Sequence, residues 1–277
     1  MCSRKLKVFF LRLIFGREYH IRPKISLLIP FSSKDPVRKK SLKWLLKYWR
    51  YELPDAEIII GKSRSKVFCK GEALNDAASR STGKILVVLD ADAYLDGKVI
   101  DRCADRILEE IEYGNRLWYV PYTHLYRLNK KATSFVLESE PCHPYRFTSP
   151  PPICDIENHG HSSKYGHRYG AMIMIFPREA YYILGCFDER FKGWGGEDVA
   201  LLRALDTLYA KHKITKNDIL HLWHPFIGDD YRSRRWMGQD SGSVNSELAN
   251  KYNRASRHPS KMRELINDGC RFKFIKK

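Results

Sequence analysis

"ILVVLDAD", residues 85–92, decides the fold. A short apolar run that turns polar at its end reads as a buried strand, with Asp90 and Asp92 at its carboxyl end. Two similar runs precede it: "KISLLIPF" (24–31), ending at Pro30 and a loop, and "AEIIIG" (56–61), closed by glycine. A helix is predicted between those two. Asp35 can cap it, Pro36 suits its first turn, and Val37, Leu42, Leu45 and Tyr48 or Trp49 recur at helical spacing up to Arg50. "GEALNDAASRSTGK" then sets Ala73, Leu74, Ala77 and Ala78 on one face of a shorter helix that Gly83 should end. Strand, helix, strand, helix, strand implies an α/β fold with a mostly parallel sheet covered on both faces. Such sheets hold ligands at the carboxyl ends of their strands, where Asp90 and Asp92 lie.

Downstream, Val99, Cys103, Ile107 and Ile111 form a helical stripe, and "RLWYVPY" is a further strand. Residues 138–170, rich in proline, histidine and turn formers, read as a long, partly ordered loop. A strand over 171–176 and a short helix follow. Leu201, Leu205 and Leu208 then mark a helix starting near Glu197, and short helices are expected in "SELANKYNRA" and "SKMRELINDG".

The 277 residues, 43% of them hydrophobic, can build a substantial core. No apolar run approaches the roughly 20 residues needed to span a bilayer. Residues 1–23 read as a basic amphipathic lead-in, a packed helix or a membrane-surface contact. Residues 24–228 are expected to be the main domain, halved at 125/126, and 229–277 a mobile loop with a basic helical tail. Seven irregularly spaced cysteines argue against a disulfide framework and for a reducing, cytoplasmic setting. Lysine and arginine (49) outnumber aspartate and glutamate (32), giving a net charge of +17 and implying an anionic partner such as nucleic acid, an acidic membrane or a nucleotide diphosphate.

Three stations can carry chemistry. In an extended chain residues two apart face the same way, so Asp90 and Asp92 can address one cation. Hard divalent ions such as Mg²⁺ or Mn²⁺ take oxygen ligands and share them with diphosphates. Glu197 and Asp198 open a helix whose dipole favours ionised carboxylates, behind Gly195 and Gly196 and beside Trp194, a flat face suited to a sugar ring. "HLWHP" (221–225) supplies His221 and His224, and imidazole shifts the metal preference toward Mn²⁺. Each station also has a structural reading: chance acidic spacing, helix capping, a core histidine.

Taken in order, "IPF", "LDAD", "FKGWGGEDVALLRAL" and "HLWHP" resemble the metal-dependent GT-A glycosyltransferases, in the group of the β1,4-galactosyltransferases, the chondroitin-polymerising enzymes and the polypeptide N-acetylgalactosaminyltransferases. The similarity spans residues 24–228, and "GWGGED" is its most specific piece. The resemblance implies a nucleotide-sugar half (24–125) and an acceptor half (126–228). It places Pro30, Phe31 and Arg38 in the nucleotide pocket, with Lys70 and Asn75 assisting. Asp92 would bind the metal, and Asp90 the ribose or the metal through water. His224 would complete the metal site, with His221 as the fallback. Trp194 and Gly196 would line the sugar, Glu197 would hold acceptor hydroxyls, and Asp198 would be the general base. The inverting members read Glu-Asp here and the retaining ones Glu-Asn, so inversion is expected, with a uridine diphosphate sugar donor, a glycan or protein acceptor, and Mn²⁺ or Mg²⁺. The pattern departs at Val199, often a third acid, and at Ser32 and Ser33, where an arginine is often seen. The absence of an anchor fits a cytosolic bacterial or viral relative.

Other readings compete. The basic charge keeps open a nucleic-acid-binding protein, a transferase acting on modified DNA, or a non-catalytic glycan binder, although no standard nucleic-acid-binding signature is present. Cys142, His143, Cys154, His159, His161 and His167 match no standard zinc spacing and read better as an acceptor-side loop.

Overall fold

The computed structural model describes residues 23–157, 172–193, 195–225 and 243–269. Its centre is a six-stranded sheet. Three parallel strands, β1 (Ile25–Pro30), β2 (Glu57–Gly61) and β3 (Ile85–Leu89), are the runs expected from sequence. Every residue of β1 and β3 is buried, as it must be when both faces of a parallel sheet are covered. β7 (Ile173–Pro177) pairs antiparallel with β3, and β5 (Tyr119–Val120) and β8 (Lys213–Ile214) complete the order β2-β1-β3-β7-β5-β8.

The expected helices form, with one shifted end. α1 (Pro36–Glu52) starts on Asp35, whose side chain accepts from the Arg38 N–H, and buries Leu42, Leu45, Tyr48 and Trp49. α2 (Lys70–Arg80) stops before Gly83. There Ser81 turns its N–H and hydroxyl back to the Ala78 carbonyl, and the chain goes extended. α3 (Gly97–Glu112) crosses to β7, and α4 (Lys130–Glu138), which the sequence reading omitted, leads into the loop. Residues 139–157 are irregular apart from a turn of 3₁₀ helix at Ile153–Asp155, in keeping with the expected loop, and 158–171 lie outside the described residues. α5 (Arg178–Ile183) and α6 (Glu197–Leu208) follow β7.

A second, three-stranded sheet matters more for the site. β4 (Ala93–Tyr94) runs antiparallel to β9 (Asp218–His221), which runs parallel to β6 (His124–Arg127). Ala93 faces His221 across the ladder, and the Leu222 N–H donates to the Asp92 carbonyl at 2.7 Å. This short pairing fastens the histidine segment to the end of the aspartate strand, far away in sequence.

The two expected C-terminal helices, α7 (Val244–Ala255) and α8 (Pro259–Gly269), pack against α6. The Tyr252 hydroxyl donates to Asp188 at 2.9 Å, and Arg190 joins Asp188 to the Leu265 carbonyl. Among the described residues, Cys69, Cys103, Cys142, Cys154 and Cys186 are free thiols, and no helix is long and apolar enough to cross a membrane.

Candidate active site

Two clusters form where β3 ends. In the first, Asp92, His221 and His224 each offer a ligand atom, all within 4.8 Å of one another. His221 Nε2 lies 3.4 Å from Asp92 Oδ1, and His224 Nε2 lies 3.2 Å from Asp92 Oδ2. Arg38, from the first turn of α1, closes the cluster: one guanidinium nitrogen is 3.5 Å from Asp92 and another donates to His224 Nδ1 at 2.7 Å. The same ring nitrogen lies 3.0 Å from the Pro225 carbonyl, so His224 is held between the guanidinium and its own backbone. Backbone bonds set the spacing: Leu128 N–H to the His221 carbonyl at 2.8 Å, and Trp223 N–H to Thr133 Oγ1 at 2.7 Å.

In the second cluster the Lys70 ammonium stands 2.6 Å from Asp90, 2.7 Å from Asp198 and 3.5 Å from Glu197. All four side chains are largely buried, Lys70 being 11% exposed. Three carboxylates from two distant segments therefore share one cation.

Burial dominates the electrostatics. It pushes the His221 pKa down to about 3, so the ring is neutral at ordinary pH with a lone pair free for a metal. Burial also opposes ionisation of Asp92, but the positive potential of His221, His224 and Arg38 holds that carboxyl well below its usual range. With His221 uncharged at neutral pH, Arg38 is the permanent source of that potential. Asp198 goes the other way. Burial raises its pKa well above the usual carboxylate value, Glu197 and Asp90 raise it further, and Lys70 opposes them. Burial also raises Asp90, Lys70 opposing it and Asp92 and Glu197 adding to it, and the three acids around Lys70 overcome its burial and keep it firmly protonated.

The other expected residues divide. Pro30 and Phe31 sit at the end of β1, the Phe31 N–H donating to the Gly61 carbonyl. Asp90, expected to support the metal, lies outside the three-ligand group because Lys70 holds it. Asn75 is committed elsewhere: its amide donates to the Phe187 carbonyl and Glu189 and accepts from Tyr181 and the Phe187 N–H. All its hydrogen-bonding capacity holds the turn after α5, so Asn75 is a structural link rather than a donor ligand. Trp194, expected on the sugar, lies outside the described residues.

Gly196 precedes α6 with φ +94°, and a side chain there would meet Phe191, Ala249 and Asn245. Asn245 was not anticipated from sequence. Its side chain accepts from the Lys192 N–H and donates to the Lys192 carbonyl, so α7 grips the loop that delivers Glu197 and Asp198. An asparagine just before the expected helix, in a stretch read as mobile, carries no sequence signal for that. Among the described residues Cys142, His143 and Cys154 form no three-ligand group; His159, His161 and His167 lie outside them.

Residues 45–177 match the family described as Glycosyl transferase family 2. The resemblance to glycosyltransferases is borne out. The chain is 26% identical over 167 residues to human chondroitin sulfate N-acetylgalactosaminyltransferase 2, a match covering 58% of this chain and 28% of that relative. The chain thus spans under a third of that protein. Similar solved structures include the catalytic domain of Drosophila β1,4-galactosyltransferase 7 in complex with xylobiose, at 15% identity and TM-score 0.43, covering 83% of this chain and 80% of that one. GalNAc-T7 with UDP, GalNAc and Mn²⁺ is similar at 12% identity and TM-score 0.47, covering 91% and 55%.

Proposed function

We propose that this glycosyltransferase moves a sugar from a uridine diphosphate sugar to an acceptor hydroxyl, with inversion at the anomeric carbon and Asp198 as general base. The observation that carries the reading is the meeting of two stations, Asp92 with His221 and His224 on one side and Asp198 with Glu197 on the other, across the end of β3. One carboxylate oxygen and two imidazole nitrogens suit Mn²⁺ better than Mg²⁺ and leave positions open for other oxygens. A bound Mn²⁺ would neutralise charge on the departing diphosphate.

The protein's own groups do the rest. Arg38, beside Asp92 and His224, would supply a fixed positive charge to the diphosphate at this end of the site. Asp198 accepts the proton of the attacking hydroxyl, and burial beside Glu197 and Asp90 gives it a higher proton affinity than a free carboxylate has. Glu197 orients that hydroxyl. The name of the human relative makes N-acetylgalactosamine the first sugar to test, and the net charge of +17 suits an anionic acceptor.

The test is a screen of UDP-sugars for UDP release with Mn²⁺, with Mg²⁺ and with chelator, using the wild type and Asp198→Asn side by side. Release that needs Mn²⁺ and collapses in Asp198→Asn is expected. Equal activity with chelator, or in the variant, would overturn the assignment.

A further inference from the structure

We propose that Lys70 is a positioning residue for the base: its buried ammonium, shared between Asp90 and Asp198, holds the Asp198 carboxylate against the donor side of the site by its opposite charge. The proposal rests on the assignment of Asp198 as the base.

Lysine is the wrong charge for its place in the chain. It is the first residue of α2, where the helix dipole favours anions and disfavours an ammonium. The carboxylates around it supply what the helix withholds. Its three N–H donors meet Asp90 at 2.6 Å, Asp198 at 2.7 Å and, more loosely, Glu197 at 3.5 Å. Asp90 follows β3, and Asp198 lies in the first turn of α6. One ammonium therefore sets the gap between the donor-side acid and the base. Around Asp198 stand Lys70 from α2, Glu197 beside it on α6, Asp90 beyond β3 and the Tyr122 hydroxyl beyond β5. Only Lys70 among these is a cation. Without it three acids share one buried site, and like charges that close cannot all remain ionised. A proton then settles on the cluster, and a protonated Asp198 cannot accept the acceptor's proton.

A lysine that only gripped the donor would behave differently: its loss would weaken nucleotide binding and leave the base's ionisation alone. Full-length wild type, Lys70→Met, Lys70→Gln, Lys70→Arg and Asp198→Asn would be compared by UDP release from UDP-N-acetylgalactosamine, UDP-galactose and UDP-glucose with Mn²⁺ between pH 5 and 9. UDP with Mn²⁺ is the binding probe, by calorimetry, and melting curves confirm folding.

The acid limb of kcat/KM should move up by about one pH unit or more in Lys70→Met and Lys70→Gln, with kcat at pH 6.5 down at least about tenfold and partly recovered at pH 8.5. UDP affinity should change less than about threefold, too little to explain the loss. Lys70→Arg, which keeps the charge, should keep the acid limb near the wild-type position even if its planar group fits less well. An unmoved acid limb in folded Lys70→Gln, or a loss confined to UDP affinity and donor KM, overturns the proposal. If Asp198→Asn is as active as wild type, the base assignment has failed first; if Asp198→Asn is inactive while the Lys70 variants keep the wild-type limb, only the role of Lys70 has failed.

Discussion

Replacing Gly196 with alanine should destabilise the protein and slow it, and the structure says by how much. Gly196 holds φ +94°, where an L-residue pays about 1–2 kcal/mol. Its new Cβ would stand 2.9 Å from Phe191 Cε1, 3.2 Å from Ala249 Cβ and 3.3 Å from the Asn245 carbonyl oxygen. Phe191 is 2% exposed and has no room to yield, so crowding adds about 1–3 kcal/mol. At about 2–4 °C per kcal/mol for a domain of this size, the melting temperature should fall by roughly 4–20 °C. Gly114 is the internal control. It also has positive φ, +76°, but nothing lies within 4 Å of its Cβ position, so Gly114→Ala should cost only the backbone share, about 1–2 kcal/mol. Scanning calorimetry of both variants separates backbone from crowding. Below its melting temperature Gly196→Ala should also lose kcat, because the glycine sets where α6 begins and hence where Glu197 and Asp198 stand. Equal losses in the two variants would refute the packing of the 191–196 loop on α7.

Further predictions follow from the clusters. Asp198 has a raised pKa in the folded protein, so its contribution to stability is full below its unfolded pKa of about 4 and is lost as pH rises through the folded value. Asp198→Asn should therefore melt higher than wild type near pH 7, the two curves converging toward pH 4, and a lower melting point at pH 7 would contradict the electrostatics. Mn²⁺ at a hundredfold excess over its Kd should stabilise the wild type by about 2.7 kcal/mol in a thermal-shift assay. Asp92→Asn, His221→Ala and His224→Ala should lose most of that gain. Asn75→Ala should cost at least about 3 kcal/mol in urea unfolding, because it strands the buried Phe187 N–H and carbonyl and the Tyr181 hydroxyl together.

The parallel half of the sheet was legible because β1, β2 and β3 are apolar runs between clear helix signals. Asp35 and Pro36 marked the start of α1, where the structure has it. Strands β4, β6 and β8 were not legible, since two to four residues carry no periodicity. They form because long-range pairing, such as Ala93 with His221, satisfies their backbone. The site shows the same division. Asp92 and the two histidines stood out by residue type, and the structure brings them together. The diversion of Asp90 to Lys70 was hidden, because it depends on α2 pointing its first residue across the site. Asn75 shows the opposite hazard: it sits in a suggestive motif, but a turn more than 100 residues later takes up its whole amide.

The stereochemistry of the first product tests the central claim most directly. With an α-linked UDP-sugar, Mn²⁺ and water as acceptor, proton NMR taken before the freed sugar equilibrates reads the anomer the enzyme releases. In-line attack assisted by Asp198 predicts the β anomer first, and no enzymatic release from Asp198→Asn. The α anomer first, or wild-type release by the variant, would contradict it.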